Sequence, residues 1–324
     1  MMKKYLILLT SVLLAFACET KSQTSTAVEK HGQLHVEGTQ LTDENGNAAM
    51  LRGMSYGWHN FWPRFYNKQS VKWLKNDWNV NIVRAAMGVD ADKRCYIESP
   101  EDSKEKIKTV VDGAIEAGIY VIIDFHSHNI HLEEAKIFFD EMSKTYGDKP
   151  NVIYEIFNEP DDESWSEVKA YSEEVIKVIR KNDPDNIILV GCPHWDQDIH
   201  LPAEDPITGF DNLMYTVHFY AATHDKWLRD RTDAAIEKGL PVFVSESAGM
   251  EATGDGPLNE EEWQRWIDWM ENRKISWITW SVSDKDETCS VLEKSASSTG
   301  NWKESDLKKS GKKSREYLRK LNKQ

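Results

Sequence analysis

Eight short apolar runs recur along the chain, at about residues 49–54, 79–87, 119–126, 151–158, 186–191, 212–219, 240–246 and 276–281. Each is nearly continuous in apolar residues rather than alternating, which is the pattern of a strand covered on both faces. Helical patterns separate most of them. Within 168–179, Val168, Tyr171, Val175, Val178 and Ile179 share one helical face, and Lys181-Asn182-Asp183-Pro184 then closes that helix. Leu132, Ala135, Phe138, Phe139 and Met142 repeat the pattern ahead of Tyr146-Gly147-Asp148-Lys149-Pro150. Strands alternating with helices imply a parallel sheet covered by helices. Eight such units predict an α/β chain folded as a closed (β/α)8 TIM barrel, with the loops after the strands forming any site. Ahead of the barrel, residues 31–47 predict a short N-terminal β-hairpin that caps its floor, with Glu44-Asn45-Gly46 as the turn.

Composition narrows the picture. The chain has 324 residues, and residues 31–324 suit a single barrel domain. Residues 1–18 predict an export signal: Lys3-Lys4 supplies the positive start, and 5–17 is apolar but too short for a membrane span of about 20 residues. Cys18 directly follows Leu14-Ala15-Phe16-Ala17. That arrangement resembles a bacterial lipoprotein processing box and implies envelope attachment through a lipidated Cys18, with free secretion as the alternative. Polar residues 19–30 then predict a flexible tether. A net charge of −14 argues against nucleic-acid binding, and the basic cluster 308–313 fits a solvated helix face. Beyond Cys18, only Cys95, Cys192 and Cys289 remain, an odd and widely spaced set that gives neither a disulfide framework nor a zinc site.

Two apolar runs end in a glutamate: Ile153-Tyr-Glu-Ile-Phe-Asn158-Glu159-Pro160 and Leu240-Pro-Val-Phe-Val-Ser-Glu246. A pair of carboxylates at strand ends is what glycoside hydrolysis needs, one as proton donor and one as nucleophile. In a barrel, other polar residues reach the same mouth: Arg84 on the second strand, Asp124 and His126 on the third, His218 and Tyr220 on the sixth, and Trp280 on the eighth. Their position at one end of their strands is what sets them apart from buried structural residues.

The motifs Leu51-Arg-Gly-Met54, Val83-Arg-Ala-Ala-Met87, Tyr120-Val-Ile-Ile-Asp-Phe-His126, Tyr215-Thr-Val-His-Phe-Tyr-Ala221 and Trp280-Ser-Val-Ser-Asp-Lys-Asp-Glu287, with the segment ending at Pro160, resemble glycoside hydrolase family 5. Within that family's clan of retaining (β/α)8 glycosidases, the chain is most similar to the bacterial cellulases of subfamily 2. The resemblance implies a retaining endo-β-1,4-glucanase with Glu159 as acid/base and Glu246 as nucleophile. It implies that Asn158 binds the sugar 2-hydroxyl, that Arg84 and Tyr220 orient Glu246, and that His218 adjusts Glu159. His126 and Trp280 would line the −1 subsite, Lys285 and Glu287 would bind sugar hydroxyls on the non-reducing side, and Trp195 would be a plus-side platform. Phe61 or Trp62 would be the minus-side platform, in a loop 56–62 that also holds His59 and is longer than in the commonest members. As acid catalyst, Glu159 would need its pKa raised by burial and by the charge on Glu246. One departure stands out: Ser247 follows Glu246 where the family usually has tryptophan, which implies looser packing beside the nucleophile.

The implied partner is a β-glucan polysaccharide such as cellulose, acted on by a monomer that needs no cofactor or metal. Mixed-linkage β-glucan, xyloglucan and β-mannan are alternative substrates. Two readings belong to other classes: a metal-dependent barrel hydrolase using His126, His128 and His131, and a barrel that binds glycans without cleaving them.

Overall fold

A computed structural model describes residues 25–323. The predicted export signal, Cys18 and residues 19–24 of the predicted tether lie outside them. The rest of the tether is not extended, because Ala27–His31 form a helix. Thr26 and Glu29 cap each other reciprocally at its start, and the Val28 N–H donates to the Gly118 carbonyl at 3.1 Å, which docks the helix on the barrel.

Strands β1 (His35–Glu37) and β2 (Gln40–Thr42) form the antiparallel hairpin. Its turn falls at Gly38-Thr39, with Gly38 at φ +61°, and not at Glu44-Asn45-Gly46. The latter forms the next turn, because the Asp43 carboxylate accepts the N–H groups of Asn45 and Asn47, each at 2.9 Å. Eight parallel strands follow: β3 (Arg52–Tyr56), β4 (Ile82–Gly88), β5 (Tyr120–His126), β6 (Val152–Glu155), β7 (Ile188–Val190), β8 (Leu213–Tyr220), β9 (Val242–Ala248) and β10 (Trp277–Val282). They close as a barrel in chain order, with β10 pairing β3. The predicted (β/α)8 architecture is therefore present. The strand β6 stops three residues earlier than expected, because Ile156 and Phe157 both turn into the outer apolar layer and break the alternation.

Period-2 alternation divides each strand between two environments. Val83, Val121, Tyr154, Val190, Val217 and Val244 face the helix layer. Ile82, Tyr120, Ile122, Ile153, Leu189, Met214, Phe243 and Ile278 fill the lower interior, and Leu34 and Leu41 of the hairpin close it from below. The predicted floor cap is thus formed. Higher in the same interior, inward positions carry Arg84, Asp124, Glu155, His218 and Glu246, all buried. The apolar plug below keeps water from reaching these groups except from the mouth.

A β-bulge decides one of these placements. Thr216 of β8 pairs with Phe243 of β9, yet His218 pairs with Glu246, so β9 has one residue more than its neighbour there. Phe243 already points inward, so strict alternation would send Glu246 out to the helices. The extra residue turns it into the barrel.

Candidate active site

Arg84 is the hub of the upper interior. It is completely buried on β4 and faces three carboxylates. Its Nε donates to Glu155 at 2.6 Å, its Nη1 to Glu246 at 2.9 Å, and its Nη2 lies 3.0 Å from Asp124. Burial works against the guanidinium charge, but Asp124, Glu155 and Glu246 together hold its pKa well above the usual value. Burial likewise opposes the charge on Glu155, yet Arg84 and His218 pull its carboxyl down to about 2. A buried charge is tolerable only when paired in this way. Glu155 was not singled out from the sequence; a glutamate at an inward position of β6 was the available signal.

Glu246 accepts from Arg84 on Oε2 and from the Tyr220 hydroxyl on Oε1 at 2.7 Å. Two fixed donors leave its carboxylate one orientation. Asn158, just past β6, accepts from Arg84 Nη2 on Oδ1 at 2.6 Å, which fixes its amide. Among the described residues, nothing accepts from its Nδ2. That leaves Nδ2 as the amide's free donor towards a ligand.

Glu159 sits on the loop beyond β6. Its Oε1 lies 2.8 Å from His218 Nδ1 and its Oε2 lies 3.6 Å from His128 Nδ1. An oxygen of Glu159, a nitrogen of His218 and an oxygen of Glu246 all lie within 4.8 Å of one another. Two carboxylates that close can address the same atom from opposite sides.

A model of the cellulase family, glycosyl hydrolase family 5, matches residues 42–286. The chain belongs to this family. Endoglucanase A of Evansella cellulosilytica is 45% identical over 321 residues, covering 97% of this chain and 65% of its own length, so the chain spans less than two thirds of that relative. A solved structure from Cytophaga hutchinsonii superimposes with a TM-score of 0.90 at 44% identity, covering 92% of this chain and 98% of the other. The catalytic domain of a Thermobifida fusca endoglucanase, solved in complex with cellotetraose, does so with a TM-score of 0.86 at 35% identity, covering 91% and 100%.

A cavity of about 230 Å³ at the barrel mouth collects Glu159, Glu246, Tyr220, His126, Trp280, Lys285 and Glu287, all expected from the family motifs. Trp280 stacks on His126 at 5.1 Å with the rings 6° apart. His126 is held by Asp124 at 2.7 Å, and burial, with Arg84 beside it, pushes its pKa well below the usual imidazole value. Lys285 and Glu287 are paired with each other. Trp58, Phe61 and Trp62 all line the cavity and share its aromatic wall, and Trp58 was missed from the sequence. Trp195 stands outside this cavity, 40% exposed on the loop after β7, and its N–H donates to the Pro160 carbonyl at 2.9 Å, next to Glu159. A larger cleft of about 790 Å³, lined by Ala27, Arg52, Asn81 and Glu271, opens at the opposite end of the barrel. It lacks paired carboxylates like those at the mouth.

Two expectations are corrected, the role left open for His59 becomes plain, and the rival metal reading loses its geometry. His59 is not a cavity residue: its Nδ1 accepts from the Gly88 N–H at 3.0 Å and its Nε2 pairs with Ser103 at 2.8 Å, so both nitrogens are committed to holding the loop. Burial pushes its pKa down to about 4. Ser247 does not loosen the surroundings of Glu246. It is buried on the side of β9 opposite Glu246 and donates to the Ile278 carbonyl at 2.8 Å. The three histidines of the metal reading do not converge, because His126 goes to Asp124, His131 to Asp90 at 2.9 Å, and His128 towards Glu159. Finally, the Glu159 carboxyl is not raised in the resting site. Burial pushes it up, but the hydrogen bond and charge of His218 outweigh burial and hold it below the usual range. His218 itself is lifted well above the usual imidazole value: burial opposes this, but Asp196, Glu155 and Glu159 prevail. The Glu159–His218 pair therefore keeps one proton between them, with the imidazole as its resting holder.

Proposed function

We propose that this chain is a retaining endo-β-1,4-glucanase. The observation that carries the reading is that a carboxylate oxygen of Glu159 lies within 4.8 Å of one of Glu246. Retaining glycosidases hold their two carboxyl groups about 5–5.5 Å apart, whereas inverting enzymes need about 6.5–9.5 Å to admit water. The family membership and the aromatic walls of the cavity support a β-glucan as the substrate.

In the first step Glu246, aimed by Arg84 and Tyr220, attacks the anomeric carbon, and the bond to the leaving oxygen breaks as that oxygen takes a proton from Glu159. The proton comes from the one that Glu159 shares with His218 at 2.8 Å. Asn158 donates to the 2-hydroxyl through its unpaired Nδ2, a contact that strengthens as the oxocarbenium-like transition state forms. Trp280 offers an aromatic face to the sugar's C–H side. In the second step Glu159, now a carboxylate, takes a proton from water. The water attacks the anomeric carbon, Glu246 leaves, and the β-configuration is restored.

The test is to incubate the protein with carboxymethylcellulose, mixed-linkage β-glucan, xyloglucan and β-mannan and to measure new reducing ends, then to follow the first-formed anomer by NMR. New ends from carboxymethylcellulose with the β-anomer formed first are expected. Activity on mannan alone would overturn the substrate, the α-anomer first would overturn the mechanism, and binding without cleavage of any glucan would favour the non-catalytic barrel.

A further inference from the structure

Asp196 takes no part in the two-glutamate mechanism, yet it is completely buried and stands behind the acid/base. We infer that Asp196 is a positioning residue that sets the proton affinity of the Glu159–His218 pair, and through it the alkaline limit of the reaction. The inference rests on the glycosidase reading of Glu159.

Local backbone geometry puts it there. His194, Trp195 and Asp196 are three successive non-glycine residues in the left-handed region, at φ 59°, 53° and 59°. Each such residue costs energy unless its surroundings fix it. Here the turn sends Trp195 outwards and Asp196 back into the barrel, so a single strained segment serves both. Asp196 Oδ1 accepts from the Cys192 N–H at 2.6 Å, which closes the turn. Closing the turn needs only that oxygen. The other, Oδ2, accepts from the Thr216 hydroxyl at 2.7 Å and lies 3.2 Å from His218 Nε2. A row therefore runs through the imidazole, with Asp196 at Nε2 and Glu159 at Nδ1, 2.8 Å away.

Other groups face this row. Ser245 lies 2.8 Å and Glu155 3.7 Å from His218 Nε2, and Glu246 adds its charge from β9. His126 at the end of β5 and His128 just beyond it face Glu159, and Arg84 and Asp124 lie in the same buried network. Cys192 adjoins Asp196, and His224 lies behind β8. Of these, only Asp196 and Glu155 place a buried carboxylate against the far nitrogen of His218, and Glu155 is already committed to Arg84 through Nε and Nη2. Burial holds the Asp196 carboxyl well above the usual carboxylate value against the pull of His218, and the charge of Asp196 in turn lifts the imidazole.

The sign follows from charge alone. An anion at Asp196 raises the affinity of the Glu159–His218 pair for its single proton, whichever member holds it. Losing that proton removes the acid catalyst. Without the anion the pair gives up the proton at lower pH.

The experiment compares wild type with Asp196→Asn, which keeps an oxygen for the Cys192 N–H. On a cello-oligosaccharide, the alkaline limb of kcat/KM should move to lower pH by about one unit or more. On 2,4-dinitrophenyl cellobioside, whose leaving group needs no proton, kcat/KM should show no such shift. Equal limbs with a uniform loss of rate would reduce Asp196 to a structural role and overturn the inference. A second measurement needs neither activity nor a stable variant: nitrogen NMR of histidine-labelled wild type should find His218 still doubly protonated well above about pH 6.5, the ordinary imidazole value. Titration of His218 at that ordinary value would overturn the inference. Wild type inactive on every glucan but with His218 cationic would instead sink the glycosidase reading and leave the Asp196–His218 coupling intact.

Discussion

Glu246 stands within a strand, and Glu159 stands on a loop past the end of another. Glu246 receives its hydrogen bonds from a guanidinium and a phenol, whereas the close partner of Glu159 is an imidazole. The difference matches the tasks proposed for them, Glu246 as nucleophile and Glu159 as acid/base. A nucleophile must keep one charge and one direction, and Arg84 with Tyr220 gives it both, since neither donor changes protonation near neutral pH. An acid/base must give up and regain a proton within each turnover. It therefore needs a partner that can also titrate, and histidine is the side chain suited to that. Rigidity is built into one side of the cleft and proton exchange into the other.

Breaking each side should give different damage. Glu246→Ala should lower activity on every substrate by roughly 10⁴-fold or more, because nothing else can form the glycosyl-enzyme; polysaccharide and activated aryl cellobioside should suffer alike. Glu159→Ala should be nearly as damaging on polysaccharide but should spare the first step on 2,4-dinitrophenyl cellobioside. Added azide should then speed turnover and yield the β-glycosyl azide, because it attacks in place of base-activated water. Equal losses on both substrates, with no effect of azide, would erase the distinction between the two sides. Asn158→Ala should lower kcat by about 10²-fold with little change in KM, and the penalty should vanish on a substrate lacking the 2-hydroxyl. A penalty that persists there would mean that Asn158 acts only by holding Arg84.

Smaller effects mark the edges of the site. His59 titrates at about 4 when folded against about 6.5 unfolded, so stability is full above pH 6.5 and falls as pH drops towards 4, where the unfolded chain binds the extra proton. His59→Gln should flatten that part of the stability profile, read from chemical denaturation, and leave kcat close to wild type. A large loss of kcat would mean that His59 does more than hold the loop. Dialysis against EDTA should leave the rate unchanged; a loss restored by zinc would revive the metal reading despite the divergent histidines.

Much of this was legible in order along the chain. Continuous apolar runs alternating with helical faces define a barrel because each strand must be covered on both sides. A glutamate at the end of such a run is conspicuous for the same reason, so Glu159, Glu246 and the residues at the other strand ends could be named before any geometry was known. Glu155 was hinted at only by its place inside an apolar run, and Asp196 not at all. Both are acidic residues in a chain with 54 of them, and only the fold shows that one pairs with Arg84 and the other backs His218. The role of His59 could not be read either, since its place in an aromatic loop says nothing about which way its ring turns.

The sequence by itself determined the architecture, the floor cap and the pair of carboxylates, because hydrophobic periodicity is local and survives without coordinates. Tertiary structure alone decided the orientation of Glu246, through a bulge that no residue type announces. It also decided where the proton rests, since that depends on Asp196 after β7 and Glu155 and Glu159 of the β6 segment converging on one imidazole of β8. Electrostatic coupling depends on distance in space and not along the chain, so such groups become a unit only when the barrel closes.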